Sequence, residues 1–169
     1  NKSSPNKKAT SNTLFTQAKS LDYQHKEDHH VDFYYQDLIP HQFNQMGPAI
    51  ATADLNGDER EDLFVGGASG DVSRIFMQEA DGSYQVQELS DEKIYEDVDA
   101  LFFDADEDGD KDLYVVSGGS IYSNKAEVYQ DRLYVNDGAG NFSRKMEALP
   151  QMHMSTSCVR AGDYDGDGD

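Results

Sequence analysis

Residues 104–116 read DADEDGDKDLYVV: five aspartates and a glutamate fall within nine residues, and an apolar run follows at once. An acidic solvated turn has no need of oxygen-bearing side chains on alternate positions, whereas a ligand shell does. Counting from Asp104, carboxylates stand at positions 1, 3, 5 and 9 as Asp104, Asp106, Asp108 and Asp112, and Asp110 occupies position 7. Side chains alternating in a tight turn can converge on one centre, where the carbonyl at position 7 can join them.

The same grammar occurs three times, which is the signature of a repeat architecture. AIATADLNGDEREDLFVGG begins at Ala49, VDALFFDADEDGDKDLYVVSGG at Val98 and SCVRAGDYDGDGD at Ser157, and the leading aspartates Asp54, Asp104 and Asp163 are 50 and 59 residues apart. The first copy offers Asp54, Asn56, Asp58 and Asp62, with the carbonyl of Arg60 at position 7. The third offers Asp163, Asp165 and Asp167 before the sequence stops at Asp169.

Each acidic loop is entered by an apolar or small-residue strand and left by another (DLFVGG, DLYVVSGG). Unit one continues through SRIFMQE, a turn at ADGS and YQVQEL, and unit two through DRLYVN, DGAGN and FSRKME. Partial apolar–polar alternation between turn residues predicts half-buried strands joined by hairpins. About four short strands per unit is the content of a propeller blade. The longer second interval follows from an insertion, SIYSNKAEVYQ, between the second and third strands of unit two. The predicted fold is all-β: a partial β-propeller of four-stranded antiparallel blades, with a tether at 1–20, a lead-in at 21–48, blades at 49–97 and 98–156, and the start of a third at 157–169.

Hard oxygen donors without thiolate or imidazole select calcium, and a flexible shell favours it over the stricter octahedron of magnesium. An EF-hand requires Glu at position 12, where these copies carry Val65 and Val115. Position 6 calls for a residue tolerant of positive φ; copies two and three have Gly109 and Gly168, but copy one has Glu59. That difference, and Asn56 in place of a carboxylate, predict a weaker first site and a tighter second.

These loops, followed by FVGGASG or YVVSGGS, resemble the FG-GAP/VCBS repeat of integrin-alpha-like propellers, in which calcium sits between the first two strands of a blade. The lead-in VDFYYQDLIPHQFNQMGPAIATADLNGD, with LYVNDGAGNF and SCVRAGDYDGDGD, is similar to bacterial exported proteins that pair such repeats with an ASPIC/UnbV domain, a group to which cartilage acidic protein is related. The resemblance spans roughly 21–169. It implies a seven-bladed propeller, of which this chain would be an N-terminal fragment, with an ASPIC/UnbV segment outside it.

With 14 Lys and Arg against 33 Asp and Glu, the net charge of −19 opposes a phosphate backbone, so nucleic acid is not an expected partner. No apolar run is long enough to span a membrane. The single cysteine, Cys158, excludes an internal disulfide framework and is expected to be a small buried residue. His25, Glu27, Asp28, His29 and His30 could form an imidazole–carboxylate metal site but read more simply as a polar loop. His41 and His153 are isolated, and no serine stands with a base and an orienting group, so no catalytic residue is assigned. Phe64, Phe103, Tyr114 and Tyr134 are expected in the blade core, with Tyr122 and Tyr129 of the insertion exposed for ligand contact.

The functional expectation is a secreted or cell-envelope binding or adhesion module, compatible with a lipid-anchored precursor. Its calcium is structural, its partner an extracellular protein or glycan, and its unpaired blade edges invite self-association. The alternative is part of a propeller enzyme whose active site lies in other blades.

Overall fold

A computed structural model of the chain describes residues 21–27, 29, 31–34, 37–40, 47–120, 126–152 and 154–166. The tether at 1–20, Asp28, His30, His41, Tyr122, His153, Asp167 and Gly168 lie outside the described residues.

Among the described residues, eight strands form two four-stranded antiparallel sheets of identical simple order. The first blade contains β1 (Ile50–Ala53), β2 (Asp62–Val65), β3 (Arg74–Gln78) and β4 (Tyr84–Glu88). The second contains β5 (Asp97–Phe103), β6 (Asp112–Ser117), β7 (Arg132–Val135) and β8 (Ser143–Arg144). Each acidic loop joins the first two strands of its blade, and the insertion falls between β6 and β7, ending in a 3-10 turn at Ala126–Tyr129. The last strand of unit two is shorter than FSRKME suggested.

Register explains how the blades stack. Ala51, Phe64, Ile75 and Gln87 pair in succession across blade one and therefore share a face. Ala100 pairs with Val115, while Leu113 pairs with both Phe102 and Tyr134, which sets the facing surface of blade two. Between them lies one apolar core containing Leu55, Phe64, Ile75, Ala100, Leu113, Val115 and Tyr134. Counted from the loop aspartate, Leu101 and Tyr114 repeat the positions of Ala51 and Phe64, and Leu133 pairs with Tyr114 as Ile75 does with Phe64, so these three form the opposite face of blade two. Those three are half-buried, as is Phe103. Phe64 and Tyr134 thus meet the core expectation, and Phe103 and Tyr114 fall short of it because they lie on the face that only a further blade would cover.

Of the described lead-in residues, Tyr23 packs on the outer face of blade one, and Asp32 accepts from the Ser120 hydroxyl beyond β6. Tyr23 meets Phe76 edge-on with ring centroids 5.2 Å apart and lies under the Arg74 guanidinium. Tyr95 occupies the equivalent place on blade two, 4.0 Å beneath Arg132.

Asp97 joins the blades. It is buried; its Oδ2 accepts from the Gly67 N–H at 3.0 Å and from the Ser73 hydroxyl, and its Oδ1 pairs with Arg132, both side chains being almost wholly inaccessible. Its backbone adds a 3.0 Å bond to the Gly67 carbonyl and a 3.2 Å bond from the Ala49 N–H. The chain comes so close here that a Cβ on Gly66 would lie 2.6 Å from that of Asp97.

Two expectations are corrected. Cys158 is exposed, not buried: among the described residues, 157–162 form no strand that would cover it. Tyr129 is buried, at 9% exposure: the 3-10 turn brings it beside Ser69, Ile94, Glu96 and Gly118, where the two blades meet. It is not an exposed ligand contact.

Removing one partner of a buried ion pair leaves an uncompensated charge, so Arg132→Ala is expected to destabilise the protein by about 3–5 kcal/mol. Urea denaturation measures this, and a loss under about 1 kcal/mol would show that the pair contributes little to joining the blades.

Candidate metal centre

The two complete loops share a scaffold of carboxylates accepting backbone N–H groups. In loop one, Asp54 Oδ1 receives the N–H groups of Gly57 at 2.8 Å and Asp58 at 3.1 Å, while Oδ2 receives that of Glu59 at 2.8 Å. In loop two the N–H of Gly109, also at position 6, reaches Asp104 Oδ2 at 2.9 Å. The third loop repeats the first contact of loop one, Gly166 N–H to Asp163 Oδ1 at 2.5 Å.

The aspartate at position 9 is a clamp. Asp62 is fully buried and accepts from the Leu55 N–H at 3.0 Å and the Gln78 N–H at 2.7 Å. Asp112, also fully buried, accepts from Ala105 at 2.8 Å and Asn136 at 2.9 Å. Each ties its loop to the end of the third strand of its blade. These structural bonds engage both carboxylate oxygens, a role that ligand spacing alone did not suggest.

Loop geometry also alters the expected contrast between the sites. Glu59 adopts φ 65°, as position 6 requires, but Glu107 at position 4 of loop two adopts φ 63°. Loop one has Gly57 at position 4 and loop two Gly109 at position 6. Both loops therefore need two left-handed residues, and each places glycine at one and glutamate at the other. The cost of about 1 kcal/mol for a non-glycine residue is common to both, so it gives no reason for a weaker first site.

The difference lies in charge. Arg60 turns its guanidinium onto Asp58, and its Nε donates to the Gln78 carbonyl at 2.9 Å, so loop one contains its own cation. Loop two has Asp110 at that position. Among the described residues no Lys or Arg pairs with Asp104, Asp106, Asp108, Asp110 or Asp112. Asp104, Asp106 and Asp108 each offer an oxygen within 4.8 Å of the others, the one such carboxylate group among the described residues. Asp104 Oδ1 and Asp110 Oδ1 are buried without a hydrogen-bond partner. Three converging hard oxygens, with a buried Asp104 oxygen left unpartnered, fit a divalent cation such as calcium. In the third loop, Asp163 and Asp165 are exposed.

The titration behaviour agrees. Burial and then the neighbouring carboxylates, Asp108 foremost, hold both Asp106 and Asp110 above the usual carboxylate value. Asp54 lies below it: burial acts to raise it, and the backbone donors of its loop outweigh that effect.

Among the described residues of the HKEDHH segment, none is helical. His25 Nε2 stands 3.2 Å from Glu27 Oε1, Glu27 Oε1 also accepts the Gly47 N–H at 3.1 Å, and His29 is exposed.

A family model described as an FG-GAP-like repeat matches residues 54–115 and again 104–169, each match opening on a loop aspartate. The chain belongs to the FG-GAP-like repeat family. The two overlapping matches follow the repeat seen in the fold, in which each acidic loop opens a new blade. No curated protein and no solved structure matches the chain. Its FG-GAP-like loops are thus alike in backbone and unlike in charge.

A carboxyl held above its ordinary 3.8 binds its proton more tightly folded than unfolded. It therefore favours the fold below that value, and the advantage is lost as pH rises through the folded value. In excess chelator the Asp106→Asn/Asp110→Asn variant should be more stable than wild type at neutral pH and lose less stability as pH rises from 4. Denaturation across that range tests this; identical pH profiles would mean that loop-two crowding does not strain the fold.

Proposed function

We propose that this FG-GAP-like chain is a calcium-stabilised binding module of the cell exterior or envelope, in which the ion has a structural role and the blade surfaces meet an extracellular protein or glycan. The carrying observation is the convergence of Asp104, Asp106 and Asp108 within 4.8 Å without an internal counter-cation. Those three carboxylates would hold the ion, with the carbonyl of Asp110 and the second oxygens of the loop as further donors. Bound calcium supplies the positive charge that loop two lacks. Asp112 meanwhile keeps the loop anchored to β7 through the Asn136 N–H, so order at the loop is carried into the blade.

Extracellular calcium modules bind in the range of about 10⁻⁴–10⁻³ M, a level suited to permanent occupancy outside the cell and not to cytosolic sensing. The absence of a nucleophile–base pair in the sequence reading favours binding over catalysis, and the acidic surface disfavours nucleic acid. No helix among the described residues is long and apolar enough to cross a membrane. The open face of blade two, with Leu101, Tyr114 and Leu133 half-buried, is where self-association or a further blade would be accommodated.

Calcium should raise the melting temperature of chelator-treated protein, since a ligand of the folded state at about 100 times its Kd adds about 2.7 kcal/mol. Magnesium at the same concentration should give a smaller shift. Asp104→Asn/Asp106→Asn/Asp108→Asn should abolish the calcium response, and Asp58→Asn should preserve most of it. The reading fails if wild type does not respond, or if the response survives the loop-two substitutions and disappears with the loop-one substitution.

A further inference from the structure

Between the outer parts of the two blades lies a cleft of about 400 Å³. It opens because β4 has five residues and β8 only two, so blade two does not extend far enough to cover its neighbour. The exposed wall departs from the pattern of the sheet. Gln85 pairs with Met77 and Gln87 with Ile75, which places both carboxamides on the face that elsewhere packs apolar side chains against blade two. Loop one contributes Asn56, Asp58 and Arg60, and the turn after β7 contributes Asn141. Met77 forms an apolar floor, with Gly140 so close above it that a Cβ there would come 2.6 Å from its methyl carbon.

We propose that this cleft is a saccharide-binding site for a neutral sugar. A carboxamide presents donor and acceptor in one plane, the pattern complementary to adjacent hydroxyl groups that each donate and accept. Gln85 and Gln87 set two of them about 7 Å apart along one strand, comparable with the width of a sugar ring. Asn141 adds a third across the cleft, its Nδ2 already held by Asp137 at 2.9 Å and its carbonyl oxygen left to accept. Met77 provides apolar surface for sugar C–H groups. The charge selects against acidic sugars: Asp58 and Glu79 line the cleft, Arg60 is engaged by Asp58 and the Gln78 carbonyl, and the whole chain carries −19. A peptide is less well matched, because a peptide partner would use the backbone edge of β4 and pockets for side chains, and this cleft offers planar polar groups on the sheet face.

The inference rests on the binding role proposed above and is tested separately from calcium. The ¹⁵N-labelled full chain in calcium is titrated with cellobiose, chitobiose, lactose and maltose, with glucuronate and tetraglycine as contrasting probes. At least one neutral disaccharide should shift the side-chain amide signals of Gln85, Gln87 and Asn141, and glucuronate should shift them less. Gln85→Ala/Gln87→Ala should weaken that contact about tenfold, the loss expected from two hydrogen bonds, while its melting temperature and calcium response stay at wild-type values. No shift from any disaccharide at tens of millimolar overturns the cleft and leaves the calcium reading in place. A stronger response to tetraglycine overturns it in favour of strand addition at β4. Sugar-dependent shifts in a protein that ignores calcium would support the cleft and count against the calcium reading alone.

Discussion

The Asp97 carboxylate takes the Gly67 N–H at 3.0 Å and the Ser73 hydroxyl from one blade and the Arg132 guanidinium from the other. Everything between the blades depends on that junction. A buried carboxylate is costly unless its oxygens are fully engaged, and Asp97 engages both, so the cost is met only when the two sheets are correctly apposed. The apolar core alone could tolerate sliding of one sheet over the other, since hydrophobic contact is non-directional. The Asp97 geometry removes that freedom. Asn136 adds a second fixed point by donating to the Leu55 carbonyl at 2.9 Å, which seats loop one of the first blade against the second.

The same chemistry recurs inside each blade. Asp62 and Asp112 each receive one N–H from the acidic loop and one from the third strand, so a single side chain defines both the shape of the loop and its distance from the sheet. An unusually acidic chain thereby places part of its negative charge where backbone donors satisfy it, without any cation. What remains uncompensated is concentrated in loop two. Position 7 decides this: Arg60 returns a positive charge to the first loop, whereas Asp110 adds a negative one to the second.

Much of this was legible in the sequence because it depends on spacing. The alternate aspartates located both loops, the alternation after them located strands on either side of ADGS and DGAGN, and the insertion was correctly placed between β6 and β7. Residues whose role depends on a distant partner were not legible. Asp97 sits in KIYEDVDA with nothing local to distinguish it from Asp99, since Gly67 and Arg132 lie far away in sequence. Tyr129 looked exposed because it belongs to an insertion, and it is buried because a short 3-10 turn carries it back. Cys158 looked buried because cysteine is a small apolar side chain, and it is exposed because the described residues around it form no strand. The left-handed position 4 was missed since Gly57 and Glu107 do not share a residue type; a comparison of all three copies, with Gly166 in the third, was the available signal.

The two loops consequently divide the work of the molecule. Loop one is held by Arg60, whose Nε reaches the Gln78 carbonyl at 2.9 Å, while the Gln78 N–H reaches Asp62 at 2.7 Å. The wall of the inter-blade cleft is therefore fixed by contacts internal to the protein, and its shape does not require an external cation. Loop two has no equivalent of Arg60, and the crowding that raises Asp106 and Asp110 acts on the blade through Asp112 and Asn136. On the proposed reading, an ion there would change the stability of the second blade more than the form of the cleft beside the first. Stability and recognition would then respond to different conditions in one repeat protein, because a single exchange at position 7 separates a loop that contains its own cation from one that does not.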